Sequence, residues 1–208
     1  MKITSVKVYK GTTFEVEMDN EKKIYLHADI IADFRVHEGM ELERTELRKI
    51  IYASNFRRAY QHALYCLDYR DYSAKEMCDK LIKTYKNENL CQAVVKKLEE
   101  CGIISDERYA EKLALRYVEG RKYGFRRAKR EIMLKGIGEY LAEDALQIYV
   151  EKFPENIAVL LRTKYAGLLT DRKDRKSIEK VKSSLVRYGY SYDEINHSVS
   201  EYLDCQED

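Results

Sequence analysis

The chain has no tryptophan, a single proline and only nine glycines in 208 residues. So little punctuation disfavours a turn-rich β fold and favours helices. No apolar run nears the roughly 18 residues of a membrane-spanning helix, and the start, M-K-I-T-S-V, does not read as a secretory leader. A soluble cytoplasmic protein is expected. The five cysteines (Cys66, Cys78, Cys91, Cys101, Cys205) are odd in number and form no C-x-x-C pair. Reduced thiols in the core are the expected state. The histidines (His27, His37, His62, His197) are scattered and form no H-E-x-x-H. Gly136-Ile137-Gly138 marks two helix boundaries and lacks the G-K-[ST] of a phosphate loop. Asp171 and Asp174 are surrounded by Arg172, Lys173 and Arg175, which suits turns and caps better than metal ligation. The expectation is a protein that is no enzyme and needs no cofactor or metal.

What the chain has in plenty is charge and tyrosine: 36% of residues are charged and 18 are Tyr. The net charge of +2 hides strong segregation. Arg116 to Lys135 holds eight basic and two acidic residues, a local +6. Arg162 to Arg187 holds nine basic and three acidic, again +6. From Asp193 to Asp208 there are six acids and no Lys or Arg. Two cationic segments suit a polyanion or an acidic protein surface better than a neutral small molecule.

The first 42 residues read as strands. Phe14, Val16 and Met18 alternate with Glu15 and Glu17, Asp19-Asn20-Glu21 is a turn signal, and Ile24 and Leu26 resume the alternation. Ile3 to Tyr9 is a weaker strand, and Phe34, Val36 and Gly39 could close a three- or four-stranded antiparallel piece. From Glu43 onward the period is helical. Leu47, Ile50, Ile51 and Ser54 share one face of a first helix. A second, from about Asn55 to Asp68, turns Phe56, Ala59, Ala63, Leu64 and Leu67 inward. Ser73-Ala74-Lys75-Glu76 is a capping box opening a helix with Met77, Leu81 and Tyr85. Leu90, Val94 and Leu98 mark the next, which stops at Gly102. The absence of a glycine at Tyr85 predicts a longer turn through Asn89.

The grammar then restarts twice. Ser105-Asp106 opens one set of three helices, punctuated by Gly124 and Gly136. Pro154 opens another, with Val159, Leu160, Tyr165 and Leu168 on its first helix and Ile178, Val181 and Leu185 on its second, which ends at Gly189. Ser191 and Glu194 form a capping box for its third. Met77, Ala128 and Val181 are equivalent, as are Leu81, Ile132 and Leu185, giving periods of 51 and 53 residues. Such periods indicate tandem units that bury their apolar faces against each other. The expected fold is mainly α: three tandem three-helix repeats in an elongated curved array, preceded by a small N-terminal antiparallel β element. The divisions are 1–42 for the β element, 43–102 for a linker helix and the first unit, 103–152 for the second, and 153–208 for the third with its acidic tail.

Three ordered motifs carry a family resemblance. Arg70-Asp71-Tyr72-Ser73-x-x-Glu76-Met77-x-x-Lys80-Leu81 is similar to the R-x-x-S-x-x-E-L-x-x-K-L stretch of the RecX family, bacterial regulators of the RecA recombinase. Leu98-x-x-x-Gly102-Ile103-Ile104-Ser105-Asp106-x-Arg108-Tyr109-Ala110 resembles its L-x-x-x-G-[YLI]-[LI]-x-D-x-R-[FY]-A. Gly124-x-Arg126-Arg127-Ala128-x-Arg130-Glu131-Ile132-x-x-Lys135-Gly136-Ile137 resembles its G-x-x-R-I-x-x-E-L-x-x-K-G-I. Met77 replaces the usual leucine, a mild volume-conserving change, and Ala128 stands where a larger aliphatic is common, which suggests a closer helix approach. The resemblance implies an all-helical protein of three repeats that binds RecA, lodges in the groove of the RecA–DNA filament and restrains strand exchange, ATP hydrolysis and co-protease activity.

The basic segments are the candidate site. Arg126, Arg127 and Arg130 fall on one helix face, three and four residues apart, while Ala128 and Ile132 point to the core. Arginine forks suit carboxylate and phosphate alike. Lys129 and Lys135 flank this cluster, and Arg116, Arg121 and Lys122 extend it. A second cluster recurs in the third unit: Arg172, Lys173, Arg175, Lys176, Lys180 and Lys182. In a stacked array the two would align as a stripe. The partner expected is RecA protein or the RecA–DNA filament, with DNA contacted directly as a further possibility, and a monomeric state. The alternative is a general nucleic-acid-binding helical protein or transcriptional regulator acting without RecA, using one helix pair as a helix-turn-helix.

Overall fold

Strands β1 (Ile3–Lys10), β2 (Thr13–Met18) and β3 (Lys23–His27) form an antiparallel sheet in sequence order. The computed structural model describes residues 1–19, 21–171 and 173–205. Asn20 of the expected turn, Arg172 of the second basic cluster and the last acids of the tail, Glu207 and Asp208, lie outside the described residues. Alternation sets the sheet as it was read. Val16, Met18 and Leu26 are buried, while Glu15 faces outward, bonded to Lys23 at 3.0 Å and to the Tyr25 hydroxyl at 3.0 Å.

Among the described residues no strand follows β3. The chain turns directly into a short helix, α1 (Ala28–Asp33), because the His27 side chain accepts from the Asp29 amide and caps it. Phe34 is exposed as a result, and only Val36 of the expected closing strand is buried. The helix that follows, α2 (Arg44–Leu67), is continuous where two helices were expected. Ser54 explains the difference: it is buried, and its hydroxyl accepts from the His27 backbone N–H at 2.9 Å, so it ties α2 to the sheet and caps nothing. Leu47 and Ile50 of α2 close a core with Ile3, Val16, Met18 and Leu26. Phe56 is only half-buried. It stacks with Tyr60 along a partly exposed aromatic row that includes Tyr52.

Helices α3 (Ala74–Tyr85) and α4 (Glu88–Glu100) come next. The turn between them is short, not long. Lys86 itself takes the left-handed conformation, φ +51°, and Asn87 caps α4 through the Leu90 amide. Packing divides the chain into two compact units: Met1–Tyr72 with Met77–Ile104, and Ser73–Glu76 with the described residues from Ser105 onward.

The second unit holds α5 (Asp106–Leu115), a π-helical turn (Arg116–Gly120), α6 (Phe125–Met133), α7 (Glu139–Gln147), α8 (Lys152–Thr163), a 3₁₀ turn (Ala166–Leu168), α9 (Arg175–Tyr188) and α10 (Tyr192–Asp204). One core unites these helices, with Ala128, Ile132, Leu146, Ile157, Val181, Leu185 and Ile195 fully buried. Both expected capping boxes form, at Ser73–Glu76 and at Ser191–Glu194. The Ser73 hydroxyl also donates to the Lys135 carbonyl, and Asp106 accepts from the Ala74 amide at 2.8 Å. Helix α8 is shorter than the pattern suggested. It buries Phe153, Ile157, Leu160 and Leu161; Val159 falls on the outer face of the same helix, and Leu168 is exposed on the 3₁₀ turn into which the chain tightens after Thr163. The π-helical turn widens the end of α5, and Asn156 of α8 donates to its Val118 carbonyl at 3.0 Å.

Candidate functional site

The site is built on a backbone crossing between Gly124 and Gly189. The last carbonyls of α9 meet the first amides of α6: Gly124 N–H donates to the Tyr188 carbonyl at 2.9 Å and Arg126 N–H to the Gly189 carbonyl at 3.1 Å. The orphan groups of two helix ends therefore satisfy each other. Neither glycine has room for a side chain. A Cβ on Gly124 would sit 2.6 Å from the Gly189 carbonyl carbon, and one on Gly189 would sit 2.4 Å from the Arg127 nitrogen. Gly189 also takes φ +98°, which disfavours any L side chain. The Tyr190 hydroxyl closes the joint by donating to the Lys122 carbonyl at 2.7 Å. Burial pushes that phenol's pKa well above the ordinary tyrosine range.

This crossing sorts the basic residues into two groups. Arg127 belongs to the scaffold: it donates to the Arg187 carbonyl at 3.0 Å and stacks on Tyr123, 4.0 Å from the ring centroid. Arg121 leans on Tyr117 and bonds the Tyr123 hydroxyl. Lys129 bridges Glu139 and Glu143 of α7, each at 2.6 Å. The bonds from Glu139 and then Glu143 raise the Lys129 pKa, and Lys129 in turn holds the Glu139 carboxyl below its ordinary value. Lys135 pairs with Glu76 at 3.3 Å, and Lys182 with Asn196 at 2.7 Å. Lys122 is half-buried with φ +55°.

Arg126 and Arg130 form the other group. They project from α6 into solvent, and among the described residues their side chains make no hydrogen bond or ion pair. A third arginine joins them. Arg187, in the last turn of α9, lines the same recess of ≈ 450 Å³ together with Glu131, Leu134 and Val186. Arg187 is not among the residues picked out from the sequence. The signal was there: Lys176, Lys180 and Arg187 recur at i, i+4 and i+11, one face of a helix. That face lines an adjoining groove of ≈ 690 Å³ with Ser183, Ser184 and Leu168.

The remaining candidates lie elsewhere. Arg116 is exposed on the π-helical turn. Lys173 and Arg175 are exposed at the start of α9, which the helical rise puts roughly 18 Å along the axis from Arg187. Asp171 accepts from the Lys173 amide, and Asp174 caps α9 through the Lys176 and Ser177 amides, as turn and cap residues do. The bond from the Ser177 side chain, then its amide, lowers the Asp174 pKa.

Family models for the first and second three-helix domains of RecX match residues 59–98 and 105–146. The crystal structure of RecX from Lactobacillus salivarius is 30% identical, and the match covers 74% of this chain and 99% of that one at a TM-score of 0.68. The chain belongs to the RecX family. A second RecX crystal structure, 24% identical, shares the fold over 98% of both chains at a TM-score of 0.72. Regulatory protein RecX of Streptococcus gordonii is 27% identical over the whole of this chain and 79% of its own. Its counterpart from Clostridioides difficile is 25% identical over 92% of this chain and 90% of its own. Within the RecX frame, the first domain takes the second half of α2 with α3 and most of α4, and the second takes α5 to α7. Arg126 and Arg130 thus sit in the second domain, and Arg187 lies beyond the two matched stretches. Among the described residues no helix is long and apolar enough to cross a membrane.

Proposed function

We propose that this protein is a non-enzymatic cytoplasmic regulator that binds the RecA recombinase or its DNA filament and inhibits recombination, ATP hydrolysis and co-protease activity, acting as a monomer. Membership of the RecX family supports a regulatory role. The observation that carries the contact is the exposed trio Arg126, Arg130 and Arg187, held in place by a rigid crossing and left without protein partners among the described residues. Surface arginines are usually solvated or paired locally; three converging on one recess are arranged to meet anions from outside. The Lys176–Lys180 face of α9 extends the cationic surface.

The test is RecA-catalysed strand exchange and single-stranded-DNA-dependent ATP hydrolysis, titrated with this protein. Inhibition at or below one protein per RecA is expected. Undiminished RecA activity at stoichiometric amounts would sink the reading. The alternative of a nucleic-acid-binding protein or transcriptional regulator acting without RecA is disfavoured by α6 itself: its exposed side chains are Arg126, Arg130 and Met133, and beside the arginines it offers no Asn, Gln or Ser to read a mixed sequence of bases.

A further inference from the structure

We propose that the recess between α6 and the last turn of α9 receives a carboxylate carried beside an aliphatic side chain on a protein partner, and that nucleic-acid phosphate binds elsewhere on the surface. This deepens the RecA-regulator reading, on which it rests for the identity of the partner, by naming the chemistry of one contact.

Three features of the recess point this way. First, its cations are all arginines, and its floor is aliphatic: Val186 is half-buried and Leu134 is 69% exposed. Met133, also exposed, adds to the apolar surface on the same turn of α6. Protein interfaces are enriched in arginine and apolar anchors and depleted in lysine. A phosphodiester backbone offers less aliphatic surface to cover Leu134 than a leucine-bearing peptide does, so docking there would set mostly charged groups against apolar surface. Second, Glu131 lines the recess, half-buried, with an oxygen 3.9 Å from Arg127 Nε. A fixed carboxylate penalises a polyanion that must lay several charges along the surface. A single carboxylate bound at the far side, between Arg126, Arg130 and Arg187, avoids it. Third, the neighbouring groove differs in its cations: Glu179, Leu168 and Tyr165 line it as well, but beside Arg187 it carries lysines. Lys176 and Lys180 are point charges on flexible stems, and Ser183 and Ser184 add hydroxyl groups, a lining suited to phosphate.

The test uses the full-length protein and observes the Nε–Hε resonances of its arginine side chains, assigned with Arg126→Lys, Arg130→Lys and Arg187→Lys variants. The probes are the blocked peptide acetyl-Leu-Glu-Leu-Glu-amide, inorganic phosphate and a short oligothymidylate. The peptide is expected to shift all three guanidinium resonances, and phosphate and the oligonucleotide to leave those of Arg126 and Arg130 in place; Arg187, which also lines the neighbouring groove, does not discriminate. Leu134→Gln should weaken peptide binding about tenfold, the lower end of what burying one leucine contributes. Because Leu134 is mostly exposed, this variant keeps the fold. The proposal is overturned if phosphate or the oligonucleotide shifts Arg126 or Arg130, if the peptide shifts none of the three, or if Leu134→Gln binds the peptide like the wild type. The RecA titration stands apart from this outcome. Peptide binding without RecA inhibition removes the regulator reading and leaves the recess; RecA inhibition without peptide binding does the reverse.

Discussion

Helices α6 and α9 both belong to strongly basic stretches of the chain, and they use that charge differently. In α6 the cations alternate between two duties. Arg127 and Lys129 are turned to neighbouring helices, where they bond the Arg187 carbonyl and the Glu139 and Glu143 carboxylates. Arg126 and Arg130, one residue away from each, face solvent. In α9 most of the charge is laid along one face, Lys176, Lys180 and Arg187, while Lys182 is bonded to a neighbour, Asn196. The difference follows from position. Helix α6 starts at the glycine crossing and is flanked by α7 and by the end of α9, so half its circumference meets protein. A cation in such a place must find an acceptor or lose hydration for nothing. Local charge density therefore overstates the binding surface in α6 and describes it more faithfully in α9.

Substitution at the crossing should give the largest effect. Gly189→Val combines a disfavoured positive φ with a clash against the Arg127 backbone, and should cost about 3 kcal/mol or more in chemical denaturation. A near-native midpoint would mean that α6 and α9 are not locked and that Arg187 is not held beside Arg126. Next comes the joint removal of the outward trio, Arg126→Gln, Arg130→Gln and Arg187→Gln. Stability should stay within about 0.5 kcal/mol, as for most surface changes, while the amount needed to inhibit RecA rises at least tenfold. Full potency in this variant would erase the distinction between the two groups of arginine.

A smaller effect, on stability alone, is expected from Arg127→Gln. Loss of the Tyr123 stack and the bond to the Arg187 carbonyl should cost about 1–2 kcal/mol, against almost none for Arg130→Gln. Equal midpoints for the two single variants would place Arg127 with the solvated group. The smallest effect concerns pH. Lys129 holds the Glu139 carboxyl below its ordinary value of 4.5, so this carboxylate's contribution is present above that value and is lost as pH falls through the depressed one. For Lys129 the sign reverses: its pKa is raised above 10.5, so its contribution is present below that value and lost as pH rises through the raised one. The pair therefore stabilises between roughly pH 5 and pH 10. The difference in denaturation midpoint between wild type and Glu139→Gln should be steady through neutrality and shrink as pH falls below 4.5 and through the depressed value; a difference that persists in strong acid would show the bridge to be unimportant.

Much of this architecture was legible. Alternation at Phe14 to Met18 and at Ile24 and Leu26 marked the sheet, and the i, i+4 spacing of Met77 and Leu81, Ala128 and Ile132, and Val181 and Leu185 marked the repeated second helices. The misreadings share a cause. A break between helices was expected after Ser54, yet α2 runs on without one, and the Ser54 hydroxyl is used 27 residues away on His27. Tyr85 and Lys86 look like a poor helix stop, yet Lys86 accepts a left-handed backbone in place of glycine. For the site, Arg126 and Arg130 were legible as an arginine cluster, and Arg187 was not, because its neighbourhood is created by a contact with Gly124 and Arg127 across about sixty residues of chain.

The sequence by itself determined the helices, their caps, the repeat and the family, since these rest on hydrogen bonds and apolar spacing among residues a few positions apart. Only the tertiary structure decided which cations remain free. A charge is consumed or exposed according to what lies within a few ångströms of it, and for Arg127 and Lys135 those partners come from 60 and 59 residues away. No local pattern encodes that distance.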